Sequence, residues 1–213
     1  TPTVTPTPTP APGTGTVIQR ENVKTAAEGV TTQWKMGNYA ANHEIEGYAS
    51  ATSVARGGSI KLYVNTIDPT YNIEVYRIGW YGGVGGRRMQ APIIGLAGTA
   101  QPTCPKYLDN PADPGSNYLL ECNWNLSHTL NIPNNTTDPT DWASGYYLVK
   151  LVGSSEKQSY IPFIVRDDHR SADFMMQAAV TTWQAYNNWG QEPTSTSSPN
   201  PGKSLYGFIS TNG

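Results

Sequence analysis

Ser59-Ile-Lys-Leu-Tyr-Val-Asn65 sets Ile60, Leu62 and Val64 against Lys61, Tyr63 and Asn65 in strict alternation. A period of two sends the two sets to opposite faces of an extended chain, so the stretch reads as a half-buried strand. Asp68-Pro69-Thr70 is a turn. Tyr71-Asn-Ile-Glu-Val-Tyr-Arg-Ile-Gly79 then repeats the pattern, with Ile73, Val75 and the stem of Arg77 alternating with Glu74, Tyr76 and Ile78. Two such strands joined by a turn decide for a sheet protein.

Further strands follow on both sides. Ile45 to Ala49 precedes the pair; Trp124 to Ile132 comes after it, then Tyr146 to Leu151 and Tyr160 to Val165 as a hairpin around Gly153-Ser154-Ser155. Val17-Ile18 and Val30 to Met36 read as short strands or irregular extended chain. The glycines in Trp80-Tyr81-Gly82-Gly83-Val84-Gly85-Gly86 permit positive φ, but the Lys-Ser/Thr of a phosphate-cradling loop is missing. A hairpin or bulge beside a buried aromatic is the better reading. Short strands at this spacing describe a mainly β fold, an immunoglobulin-like antiparallel β-sandwich over residues 17–166.

Composition agrees. In 213 residues the charged share is 14%, against 21 Gly, 17 Pro and 13 Tyr, which favours strands and turns over helices. Net charge is −2. That is no footprint for nucleic acid, and Arg87-Arg88, the basic doublet of note, reads as a solvated loop edge. No apolar run reaches the roughly 18 residues that a spanning helix needs, so membrane insertion is not expected. Any export signal is read as removed or lying outside these residues.

Residues 1–16, TPTVTPTPTPAPGTGT, form an extended Thr/Pro-rich linker with no apolar face to bury. Such composition marks O-glycosylated stalks, with Thr3, Thr5, Thr7 and Thr9 as candidate acceptors. An extended segment lying along a neighbouring subunit is the alternative. Asn125-Leu-Ser127 and Asn135-Thr-Thr137 fit the N-glycosylation pattern. Cys104 and Cys122 are read as a disulfide, two buried free thiols being the alternative; closing that loop contributes on the order of 3 kcal/mol in the chain-entropy model. Linker and disulfide together point to an extracellular or cell-surface setting.

From Asp167 the texture changes. Asp173 to Ala179 reads as a buried strand and Thr181 to Gly190 as a turn and short helix, so residues 167–213 are the beginning of an α/β segment or a C-terminal tail.

Four stretches carry a resemblance: Ile45-Glu-Gly-Tyr-Ala49, Tyr76-Arg-Ile-Gly-Trp-Tyr-Gly-Gly83, Trp142-Ala-Ser-Gly-Tyr-Tyr-Leu-Val-Lys-Leu151, and Thr182-Trp-Gln-Ala-Tyr-Asn187 with Gly202-Lys-Ser-Leu-Tyr206. In order and spacing they resemble the N,N-dimethylformamidase large-subunit family and its secreted relatives. The resemblance implies an immunoglobulin-like part before an amidotransferase-like α/β part, and hydrolysis of a small amide at iron held by two tyrosines and a glutamate. It places Tyr186 where one such tyrosine falls, with Tyr206 second to it. The chain departs from the family by stopping soon after the α/β part begins and by an insertion between Gly190 and Gly202. Iron is therefore expected only if the chain continues.

The residues themselves offer no complete catalytic site. His43, His128 and His169 lack paired ligand spacing, and no nucleophile elbow occurs. Asp167-Asp168 reads as a solvated turn rather than a calcium pair. Trp80, Tyr81, Trp124, Trp142, Tyr146, Tyr147, Trp183 and Trp189 are core or interdomain packing, or else a sugar-stacking platform. The expected function is a non-catalytic module with a structural, adhesive or assembly role, binding glycan or neighbouring copies. The alternative is the N-terminal portion of a secreted metal-dependent amidohydrolase.

Overall fold

The structure, a computed structural model, describes residues 15–104, 122–134, 141–172, 174–187 and 189. Its strands are β1 (Ile45–Ala49), β2 (Ser53–Ala55), β3 (Ser59–Thr66), β4 (Thr70–Ile78), β5 (Gly86–Arg88), β6 (Ile93–Ala97), β7 (His128–Asn131), β8 (Gly145–Gly153) and β9 (Gln158–Arg166). Two short helices flank them, α1 (Val17–Asn22) and α2 (Val180–Tyr186). A smaller sheet has the order β1-β3-β7; a larger one runs β2-β9-β8-β4-β5, with β6 also on β4. The chain is a mainly β sandwich. Pairing is antiparallel except where β2 runs parallel to β9, a departure from the all-antiparallel expectation.

The alternation read from the sequence sets the core. Ile60, Leu62 and Val64 of β3 face Ile73 and Val75 of β4, and the register pairs Ile73 with Leu151 and Val75 with Val149. These seven side chains are at most 1% exposed, and burying each contributes about 1.5–3 kcal/mol. The expected β8–β9 hairpin is present, with Tyr147 opposite Phe163.

The far face of the larger sheet is covered too. Residues 30–36, expected as strand or extended chain, form a bridge at Val30 to Arg87 and a 3-10 turn at Thr32–Trp34. Lys150 projects from β8 into this cover and donates to the carbonyls of Gln33 (2.9 Å) and Lys35 (3.1 Å). The Tyr160 hydroxyl donates to the Trp34 carbonyl. The Trp34 indole lies on the Gly85-Gly86 backbone, where a Cβ at Gly86 would collide with it, and donates to the Val84 carbonyl at 3.0 Å. The Gly-rich run is thus a β4–β5 hairpin beside aromatics, as expected.

Several local expectations are corrected. Val17-Ile18 opens α1 instead of a strand, because Thr16 and Gln19 form a reciprocal capping box with bonds of 3.2 and 2.8 Å. The strand expected over Trp124 to Ile132 is confined to β7. Before it, side chains take the backbone groups: Gln101 brackets the Asn125 N–H and carbonyl at 2.8 and 3.0 Å, and the Val64 N–H donates to Ser127 Oγ at 2.8 Å. The buried strand expected near Phe174 to Ala179 is exposed and unpaired among the described residues, with Phe174 and Met175 more than 90% exposed. Arg87 is buried, contrary to the solvated loop edge expected for the doublet.

Candidate functional site

On β1, Ile45 and Gly47 turn into the core, so Glu46 and Tyr48 lie on the outer face of the smaller sheet beside Tyr63 and Asn65 of β3. Tyr48 and Tyr63 are register partners and their rings stack at 4.9 Å. Trp124 joins them 5.2 Å from Tyr48 and anchors its indole N–H on the Pro102 carbonyl at 3.0 Å. The segment after α2 closes the far side. Trp189 meets Trp124 edge-on at 6.1 Å and donates its indole N–H to Glu46 Oε2 at 2.7 Å.

Glu46 is the hub. Its Oε2 also receives His43 Nδ1 at 2.5 Å, and its Oε1 receives the Asn65 amide at 3.2 Å. His43 sits at φ 61°, a left-handed conformation that costs a β-carbon-bearing residue strain and aims the imidazole back at Glu46. Between the sheet face and the α2 segment runs an open cleft of about 790 Å³ lined by Glu46, Tyr48, Tyr63, Asn123, Trp124, Tyr160, Gln184, Asn187 and Trp189, among others. Burial raises the Tyr160 phenol, which stays a neutral donor. His43 bonds no Ser, Thr or Cys among the described residues, so the cleft holds a His–carboxylate pair without a hydroxyl or thiol nucleophile on it.

The loop-closing disulfide belongs to this cleft. Cys104 and Cys122 are bonded at 2.02 Å with Cα atoms 4.8 Å apart, and the Cys122 carbonyl accepts from the Tyr48 hydroxyl at 2.7 Å. The bridge therefore fixes the start of the segment that delivers Trp124.

A second polar cluster is sealed beneath α1. Glu21 is fully buried and accepts from Arg87 Nε at 2.6 Å, Arg87 Nη2 at 3.3 Å and the Tyr81 hydroxyl at 2.6 Å. Arg77 donates to Tyr81 Oη at 2.9 Å and to the Ser144 carbonyl at 3.0 Å, and lies 3.9 Å from Glu21. Burial by itself would lower the Arg87 pKa, yet the Glu21 carboxylate outweighs it and the pKa rises. The Tyr81 phenol is pushed up to about 12, chiefly by burial, so it donates to Glu21 as a neutral group. This cluster ties α1 to the β4–β5 hairpin.

Of the residues singled out by sequence, Tyr186 ends α2 and is 62% exposed. Asn125 is exposed, next to the buried Trp124. Asn135, Thr3, Thr5, Thr7, Thr9 and Tyr206 lie outside the described residues. Asp167 accepts from Arg56 at 3.1 Å and pairs with Arg170 at 3.4 Å, and Asp168 pairs with Arg166 at 3.1 Å. Both carboxylates of that doublet are thus spent on arginines. Among the described residues no group of three or more His, Cys, Asp or Glu side chains converges as a metal would require. Sequence reasoning missed Glu46, His43 and Gln184, although the outward alternation of Glu46 and Tyr48 along β1 carried the signal. It missed Glu21 as well; an arginine at an inward strand position, Arg77, was the clue that a buried counter-charge must exist.

The family model described as N,N-dimethylformamidase beta subunit-like, C-terminal, matches residues 72–213, more than half of the chain. The chain belongs to this family. In this dimethylformamidase-like chain the match begins inside β4 and takes in the Glu21-binding arginines, the disulfide and α2, while β1 and Glu46 precede it. No curated protein sequence matches it. Among solved structures, the alkylpurine DNA glycosylase AlkC of Pseudomonas fluorescens, bound to DNA containing an abasic site analog, aligns at 10% identity and TM-score 0.33 over 70% of this chain. Murine CEACAM1b aligns at 13% identity and TM-score 0.24 over 58% of it. The chain spans 37% and 54% of those two proteins, and neither likeness bears on the fold or function of the dimethylformamidase-like chain.

Proposed function

We propose that this chain is a non-catalytic extracellular or cell-surface module, immunoglobulin-like in its sandwich, whose role is structural: it is the platform on which the C-terminal segment of a dimethylformamidase-like protein assembles. One observation supports the reading above others. The segment after α2 is tied to the outer face of β1 by the Trp189 bond to Glu46 and by the Trp189–Trp124 contact, while Trp183 of α2 packs against Tyr146 at 5.8 Å. The disulfide supports an oxidising compartment. No helix among the described residues is long and apolar enough to cross a membrane. On this reading residues 167–213 open the α/β part, and the Thr/Pro-rich segment is a glycosylated tether.

Family membership favours a second reading, the N-terminal portion of a metal-dependent amidohydrolase. The resemblance asks for two tyrosines and a glutamate around iron; of its two tyrosine candidates Tyr186 is described and Tyr206 lies outside the described residues. Tyr186 by itself does not hold iron, and no step is derived through the metal. The two readings separate in a direct assay: the chain, loaded with iron, is incubated with dimethylformamide and the release of dimethylamine is followed. The platform reading expects release at the rate of iron in buffer. Turnover that is lost on Tyr186→Phe would establish the enzyme reading instead.

A further inference from the structure

We infer that the cleft between the outer face of β1 and the α2 segment is a binding site for a neutral saccharide. The inference does not rest on the platform role. At about 790 Å³ the cleft has the size of a small-molecule site. Its walls divide in chemistry. Tyr63 and Trp189, both half-buried, supply ring surface over the buried Trp124, whereas Asn123, Gln184 and Asn187 supply side-chain amides that both donate and accept. Gln184 and Asn123 are exposed, and their amides make no hydrogen bond among the described residues. A pyranose needs this combination, its C–H face against an aromatic ring and its hydroxyls against groups that can take either role.

Charge narrows the class further. Among the described residues no Lys or Arg lines the cleft to neutralise a phosphate, sulfate or carboxylate, and Glu46 repels one. An ammonium ligand needs a free carboxylate beside the rings. Here Glu46 already accepts from His43, Asn65 and Trp189. A neutral, hydroxylated ligand is what remains.

The test is isothermal titration of the 213-residue chain with maltotriose, cellotriose and chitotriose, with choline and sialyllactose as charged comparators. At least one neutral trisaccharide is expected to bind saturably, one per chain. Trp189→Ala and Gln184→Ala should each weaken it about tenfold. Trp80→Ala, at an exposed indole outside the cleft, should leave it unchanged. Gln184 is exposed on α2, so its variant stays informative if Trp189→Ala fails to fold. The inference is overturned by no saturable binding of any of the three, by tighter binding of choline or sialyllactose, or by affinity that survives Gln184→Ala and every foldable Trp189 variant.

Discussion

Glu21 shows how much one side chain carries. Two guanidiniums and a phenol converge on a carboxylate that water does not reach, and removing one member of such a set leaves charge buried without compensation. Glu21→Gln is expected to lower unfolding stability by about 3–5 kcal/mol in urea titrations, whereas a loss below about 1 kcal/mol would show the arginines re-solvated by local rearrangement. Tyr81 adds a pH dependence. Its pKa is raised from about 10 in the unfolded chain to about 12 in the fold, so the folded state keeps a proton that the unfolded state gives up. The stabilisation is complete below pH 10 and is lost as pH rises towards 12. Tyr76 and Tyr147, both raised by burial, act in the same direction. Denaturation midpoints should therefore fall across this window, and Tyr81→Phe should make the fall shallower; an unchanged slope would place the alkaline loss in the other tyrosines. None of this was legible in the sequence beyond the odd position of Arg77, because a counter-charge 56 residues away in the chain leaves no local pattern.

At the scale of elements, β3, β4, β8 and β9 were readable because each has one face in the core and a period of two records it. Elements whose partners are side chains were not. The stretch before β7 alternates like a strand, yet the Gln101 side chain satisfies the Asn125 backbone while Ser127 spends its hydroxyl on Val64 of β3, and α1 rests on a capping box plus a buried acid. β2, β5 and β6 are short, and pairing with long neighbours holds them where their own sequence is silent. The disulfide, in contrast, was legible from composition and context. Replacing both cysteines by serine is expected to cost about 3 kcal/mol of stability in denaturant titrations. It should also raise the emission of the Trp124 region as the Tyr48–Cys122 anchor loosens. Equal midpoints with and without the bridge would contradict the loop-closure contribution.

For the whole molecule, the sequence's sandwich and its family are both present, but the site lies where neither was looking. The cleft is built from β1, β3, β9, a disulfide-anchored loop and α2 with the segment after it, pieces distant along the chain, and such a meeting place follows from topology and not from motif. The aromatic contacts read as packing are largely that, and Trp189 is packing of the C-terminal segment on the sandwich. This gives the platform reading its most direct measurement. A seven-residue helix is marginal by itself in water, so protection of α2 must come from docking. Hydrogen–deuterium exchange of the chain and of Trp189→Ala, read by mass spectrometry, reports it. The account predicts that residues 180–186 are protected in the parent chain and lose about tenfold protection in the variant, while β4 and β8 stay unchanged. Residues 180–186 exchanging at the rate of unstructured chain in the parent, or equally slowly in both proteins, would contradict it.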